Sequence, residues 1–154
     1  MSAFIASGGS QAPHPITNDG WYPDLDGQHM RESLRLDGSI TDARLETAAV
    51  NAVIEVNREL HSWKYRQMAS GFADLASVPA DKIQGESQLL HLYRRAIYCS
   101  AGAELAERMR DYSATGDGAE RAEALTPTAD EYRRDARWAI RSILGRVHTT
   151  VELI

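Results

Sequence analysis

One cysteine, Cys99, is all the thiol chemistry in this chain of 154 residues. That excludes an internal disulfide framework and points to a reducing compartment. No stretch approaches the roughly 18 to 20 consecutive apolar residues needed to span a bilayer, so no membrane partner is expected. Positive charge is not in surplus either: 17 Lys and Arg against 22 Asp and Glu leave a formal charge of -5. Broad phosphate binding needs the opposite balance, which counts against general nucleic-acid binding. The opening Met-Ser-Ala-Phe-Ile-Ala-Ser-Gly-Gly-Ser lacks the basic end and apolar run of a secretory signal. No internal repeat is present. These absences predict a soluble, intracellular chain. Its hydrophobic content of 43% and charged content of 25% suit one domain with a sizeable core.

The periodicity that is present is helical. Within Glu86–Tyr112, the residues Leu89, Leu92, Tyr93, Ala96, Ile97, Ser100 and Ala103 recur at steps of three and four. Leu90, Cys99, Ala106 and Met109 widen the stripe, which predicts a central helix with partners on two sides. Residues 1–15 carry too little apolar surface to pack and predict a mobile arm. Asn18-Asp19-Gly20 is turn chemistry, and Asp24 or Asp26 is expected to cap a short helix reaching about Leu36, stopped by Asp37-Gly38. Thr41 predicts the cap of one helix from Asp42 to about Ser70, with Leu45, Ala49, Ala52, Val53, Val56, Leu60, Trp63 and Gln67 on its core face and Gly71 ending it. Ser77 and Pro79 suggest a small helix start in the linker Phe72–Gly85. Regularity should fail at Ala114–Gly118, and Ala119–Leu125 can add a turn or two. Thr128 and Glu131 have capping-box spacing and open a last helix that buries Tyr132, Ala136, Ala139, Ile140 and Ile143 and closes at Gly145. Arg146–Ile154 is rich in β-branched residues, alternates at period two, and has no predicted partner strand. The expectation is an all-α domain: a small bundle of about four helices at 16–145, flanked by the arm 1–15 and an extended tail 146–154.

Chemistry is thinly represented. Asp19, Asp24, Asp26 and Asp37 are the best material for a metal-dependent enzyme, but Asp24-Leu25-Asp26-Gly27 lacks the third acidic position and closing Glu of a calcium loop. Caps and turns account for these aspartates. His14, His29, His61, His91 and His148 show no i,i+4 spacing and no Cys companion, so no zinc site is expected. Cys99 reads as a buried, inert thiol. Gly116-Asp117-Gly118 follows a helix and reads as a turn rather than a phosphate cradle. No catalytic residue, metal or cofactor is expected.

Two features stand apart. Trp138 lies two positions from both Ala136 and Ile140, which turns it away from the core face of its helix. Arg134, Asp135, Arg141 and Ser142 surround it, the composition of an interface, unless another helix of the same chain covers it. Arg133, Arg137 and Arg141 form an i,i+4 row suited to DNA phosphates or an acidic partner; alternatively Asp130 pairs with Arg133 and Arg134 as ordinary surface ion pairs. The tail, ending in Leu153-Ile154, needs an edge to pair with, from another subunit, another protein or its own bundle.

Several ordered motifs carry a resemblance. They are Trp21-Tyr22-Pro23-Asp24-Leu25-Asp26, Leu34-Arg35-Leu36-Asp37-Gly38, Glu55-Val56-Asn57-Arg58-Glu59-Leu60, and Gly85-Glu86-Ser87 with Leu92-Tyr93-Arg94-Arg95-Ala96. Glu131 to Ile140 and Val151-Glu152-Leu153-Ile154 follow in the same order. Together they resemble the head completion/stabilisation proteins of temperate contractile-tailed bacteriophages, over about residues 16–154. The resemblance implies a structural virion protein of the head–tail junction, present in the host cytoplasm during assembly. Such a protein joins the portal after DNA packaging and forms a homo-oligomeric ring on it, expected to be a dodecamer. It offers a surface to a tail terminator or neck protein, with DNA only as passing cargo. The portal or subunit interface expected on this basis comprises Arg133, Arg137, Trp138 and Arg141 with Val147, Thr149, Val151, Leu153 and Ile154 of the tail. The alternative is a DNA-binding ring subunit of the packaging machinery, similar to a small terminase.

Overall fold

The computed structural model describes residues 14–113 and 127–146. A two-residue strand β1 (Pro15–Ile16) pairs antiparallel with β2 (Leu25–Asp26), and helix α1 (Gly27–Ser33) follows directly. Next come α2 (Asp42–Glu59), α3 (His61–Ala69) and a single 3-10 turn (Leu75–Ser77). A second pair, β3 (Lys82–Ile83) with β4 (Glu86–Ser87), leads into α4 (Gln88–Ser113), and α5 (Ala129–Ile143) is the last described helix. The protein is a small helical bundle, as the periodicity predicts. The expectations for 1–13, for the irregular stretch and extra helical turn in 114–125, and for the tail from Val147 onward fall outside the described residues.

Helix α4 is the centre. Tyr93, Ala96, Ile97, Tyr98, Ala101, Ala103 and Leu105 are all buried on it, with α2 packed on one side and α5 on another. Gly102 shows how close the second contact is. A methyl group there would meet Leu34 Cδ2 and the Tyr132 ring at 3.2 Å, so glycine persists mid-helix despite a propensity cost of about 1 kcal/mol relative to Ala. The five residues expected on the core face of α5 are all buried, and its capping box is formed: Thr128 Oγ1 accepts from the Glu131 N–H at 3.2 Å while Glu131 Oε2 accepts from the Thr128 N–H at 2.7 Å. Gly145 (φ 66°) ends it, with the Arg146 N–H bonded to the Arg141 carbonyl and the Gly145 N–H to that of Ser142.

Four local expectations need correction. The helix predicted from Asp42 to Ser70 is broken at Leu60, whose ψ of 0° separates α2 from α3. A one-residue departure leaves the core stripe in phase, so periodicity cannot reveal it. Beyond the break, Trp63 meets Trp21 edge-on at 5.9 Å and Lys64 reaches Asp19. The linker turn starts earlier than predicted, because Asp74 caps Leu75–Ser77 and Val78, preceding Pro79, is extended. Helix α1 stops at Ser33, before Asp37-Gly38, with Arg35 (φ 53°) in the left-handed position usually taken by glycine. The expectation of no strand before the tail also fails. Gln84 (φ 50°) and Gly85 (φ 78°) make a tight two-residue turn between β3 and β4, and Pro15, read as part of the arm, pairs with Asp26.

The N-terminal hairpin is tied to both long helices through a half-buried polar cluster at the edge of the core. Tyr93, fully buried, donates its hydroxyl to Asn57 Oδ1 at 2.6 Å and accepts from Asn18 Nδ2 at 2.8 Å. Asn57 Nδ2 closes the triangle on Asn18 Oδ1 at 3.0 Å. The Tyr22 ring stacks on Tyr93 with centroids 4.6 Å apart, and Trp21 meets Tyr22 edge-on at 4.9 Å. Asp19 accepts from the backbone N–H groups of Trp21 and Tyr22 and pairs with Lys64 at 2.6 Å. Burial pushes the Asp19 carboxyl up, but the Lys64 ammonium and the two backbone donors outweigh it and hold the group below the ordinary carboxylate range. The Lys64 ammonium also lies 5.3 Å from the Tyr22 ring centroid.

Removing the Tyr93 hydroxyl strands polar atoms on two other segments. Tyr93→Phe is expected to cost about 1–3 kcal/mol in chemical denaturation. Asn57→Ala should cost less in that background than in the wild type, and simple additivity in this double-mutant cycle would show that the three groups do not act together. Asp19 adds a pH dependence. A carboxyl whose folded pKa is depressed contributes stability above its unfolded value, near pH 4, and loses it as pH falls through the lower folded value. Asp19→Asn should therefore be the less stable protein at neutral pH and lose less stability on acidification; parallel pH curves would contradict this.

Candidate interaction surface

The residues with catalytic potential are dispersed and occupied. Asp24 accepts from the Asn18 N–H at 2.7 Å, Asp26 caps α1 through the Gln28 N–H at 2.9 Å, and Asp37 accepts from the Ser39 N–H at 2.8 Å. The short hydroxyl bond from Ser39, with its N–H, holds the Asp37 carboxyl low. His14 pairs with Glu46, His29 with the Tyr98 hydroxyl, and His91 with the Ile83 carbonyl, while His61 lies against Tyr65. Among the described residues no group of three or more His, Cys, Asp or Glu could hold a metal ion. Cys99 is half-buried on α4, and burial pushes its thiol up, away from the reactive thiolate.

The outer face of α5 is different. Trp138 is 43% exposed. The Arg134 guanidinium lies 5.0 Å from its ring centroid, a cation–π distance. Asp135 orients that arginine, accepting from its Nη2 at 3.2 Å, and also meets Arg95 of α4 at 3.4 Å. The expected arginine row is split. Arg133 turns inward to Glu107 of α4 and to Asp130 at 3.3 Å, so it fastens α5 to the central helix. That bond lowers the Glu107 carboxyl and raises the Arg133 guanidinium. Arg137 and Arg141 remain exposed and make no ion pair among the described residues. Arg134, Trp138 and Arg141 thus share one outward line at i, i+4 and i+7. Val147, Thr149, Val151, Leu153 and Ile154 lie outside the described residues, so Arg146 is as far as the tail can be followed.

A second surface escaped the sequence reading. Val50 and Ile54 on α2, with Tyr65 and Met68 on α3, are exposed large apolar side chains at 41%, 57%, 55% and 44%. They lie opposite the Ala52, Val56 and Leu60 face, two positions out of phase with it. An open groove of about 590 Å³ spans the α2–α3 junction, lined by Asp19, Tyr22, Asn57, Arg58, His61, Ser62, Lys64 and Tyr65. The signal was present in sequence as a second set of apolar residues at helical spacing. The stronger core stripe on the same helices masked it.

The geometry is that of a closed core with an arginine-framed Trp138 on one outer face, an apolar row on another, and no assembled reactive centre among the described residues. No solved structure matches the chain. The head completion/stabilization protein of Escherichia phage P2 is 39% identical over 139 residues, covering 90% of this chain and 82% of that protein. A family model described as phage head completion protein (GPL) matches residues 16–154, from the first strand of the fold to the last residue of the sequence. The chain belongs to the phage head completion protein (GPL) family.

Proposed function

We propose that this protein is a structural adaptor rather than an enzyme. It binds the portal vertex of the filled head after DNA packaging, stabilises that head, and presents a docking surface to a tail terminator or neck protein. It works as a homo-oligomeric ring at the head–tail junction, with DNA only as passing cargo, and it reaches the virion from the host cytoplasm without a membrane stage. The observation that carries this reading is the exposed Trp138 flanked by Arg134, Arg137 and Arg141 on the outer face of α5. An aromatic anchor with arginines is the composition of a protein–protein hot spot, and the family is one of head completion proteins. The tail from Arg146 supplies a second contact, adding a strand to an edge of the portal.

The alternative, a DNA-binding ring subunit of the packaging machinery, loses ground on a physical detail. Arg133 is committed to Glu107 and Asp130, leaving a shorter cationic row on a chain of formal charge -5.

Trp138→Ala is expected to weaken ring assembly on purified portal by at least about 30-fold, the effect of losing a hot spot of roughly 2 kcal/mol. The monomer's stability should change by no more than about 0.5 kcal/mol, as for a surface position. Equal loss of assembly and stability would make Trp138 a structural residue. Deleting 147–154 should abolish capture by immobilised portal rings and leave the melting temperature of the helical domain unchanged. Undiminished capture would remove the tail from the interface.

A further inference from the structure

The apolar row on the outer side of α2 and α3 is not explained by portal docking through α5, because α4 lies between α5 and α2. Its two ends differ. At the α3 end the row runs out at Met68, just before the Gly71 turn. At the α2 end it begins beside a fixed point of the N-terminal segment. The His14 carbonyl accepts from the Gly27 N–H at 2.7 Å, and His14 Nε2 lies 3.2 Å from Glu46 Oε2. Glu46, Val50 and Ile54 are successive i,i+4 positions on α2. Residues 1–13 therefore join the fold at the head of the apolar row.

The composition of those residues suits that surface. Met1–Pro13 contains no charged side chain, and its large apolar residues, Met1, Phe4 and Ile5, stand at the far end of a Ser7-Gly8-Gly9-Ser10 tether. Without charged side chains, the Phe4-Ile5 stretch can cover Val50 and Ile54 without stripping water from an ionised side chain. Reach agrees as well. Eight residues lie between Ile5 and His14, so nine Cα–Cα steps join them, a maximum of about 30 Å when extended and about 15–18 Å as the average span of a Gly/Ser-rich chain. On α2, Ile54 lies about 12 Å along the helix from Glu46, and Glu59, its last residue, about 20 Å. The average span falls between them, over the groove at the α2–α3 junction. The family match begins at Ile16 and so excludes this segment.

We infer that Phe4 and Ile5 of the same chain dock on the Val50, Ile54 and Tyr65 row of α2 and α3, covering it in the free subunit. The inference is independent of the portal reading, since it concerns the subunit alone.

The test uses the full-length chain with a nitroxide attached at Ser7→Cys, beside the docking pair, in a Cys99→Ser background, its melting temperature first matched to that of the wild type. Methyl resonances report proximity. Those of Val50, Ile54 and Met68 should relax several-fold faster than that of Ile143 on α5. The effect should persist unchanged on dilution with spin-free chains, and Phe4→Ser should reduce it several-fold. Equal weak relaxation at Ile54 and Ile143 would show an arm with no preferred site and overturn the inference. Relaxation transferred to the spin-free chains of a mixed sample would overturn it too, because a second copy would then supply the segment.

Discussion

Asn18, Asn57 and Tyr93 satisfy one another at the edge of the core, and the position of the N-terminal hairpin depends on that exchange. Each comes from a different part of the chain: the turn before β2, the second half of α2, and the second turn of α4. A buried hydroxyl and two amides are costly unless paired, so the cluster tolerates few alternative arrangements. Once it is set, Tyr22 has the Tyr93 ring to stack on, Trp21 is wedged between Tyr22 and Trp63, and Asp19 meets Lys64 beyond the Leu60 break. The linker is pinned by the same tryptophan, through the Trp21 indole to the Phe72 carbonyl and through the Leu75 N–H to the Trp21 carbonyl. The polar cluster supplies register and the aromatic rings around it supply buried area.

The parts of this fold legible in sequence are those whose cause is local. The Thr128 capping box, the Thr41 and Asp26 caps, the Gly71 and Gly145 stops and the core face of α5 each follow from residues within a turn or two. The two-sided burial of α4 was visible because its apolar stripe is too wide for one neighbour. What stayed hidden has non-local causes. The interruption at Leu60 answers to Asp19 and Trp21, about 40 residues earlier, and Asn57 reads as an unremarkable helix-surface residue until Tyr93 is brought to it. Arg35 and Gln84 take left-handed backbone positions that no side-chain rule assigns to them. The candidate surface was legible in part. Trp138 was identifiable by its phase against Ala136 and Ile140, whereas the commitment of Arg133 to Glu107 required knowing that α5 lies on α4.

This architecture suits a protein whose work is done through its surfaces. In the described interior the Tyr22 hydroxyl is the one buried side-chain polar atom without a partner; the others are satisfied, so binding need not rearrange the core. The two outer surfaces lie on helices separated by α4, one a tryptophan framed by arginines and the other an apolar row bordered by an open groove. Membership of the head completion family makes a stabilising role in the phage head the natural setting for those surfaces.

The most direct measurement is the light-scattering mass of the purified protein, alone and then mixed with portal rings of the same phage. The account predicts a low mass alone and co-elution with the portal after mixing, because the portal supplies the template on which subunits gather. A stable ring that forms alone, ignores the portal and retains double-stranded DNA would contradict it and favour the packaging machinery instead.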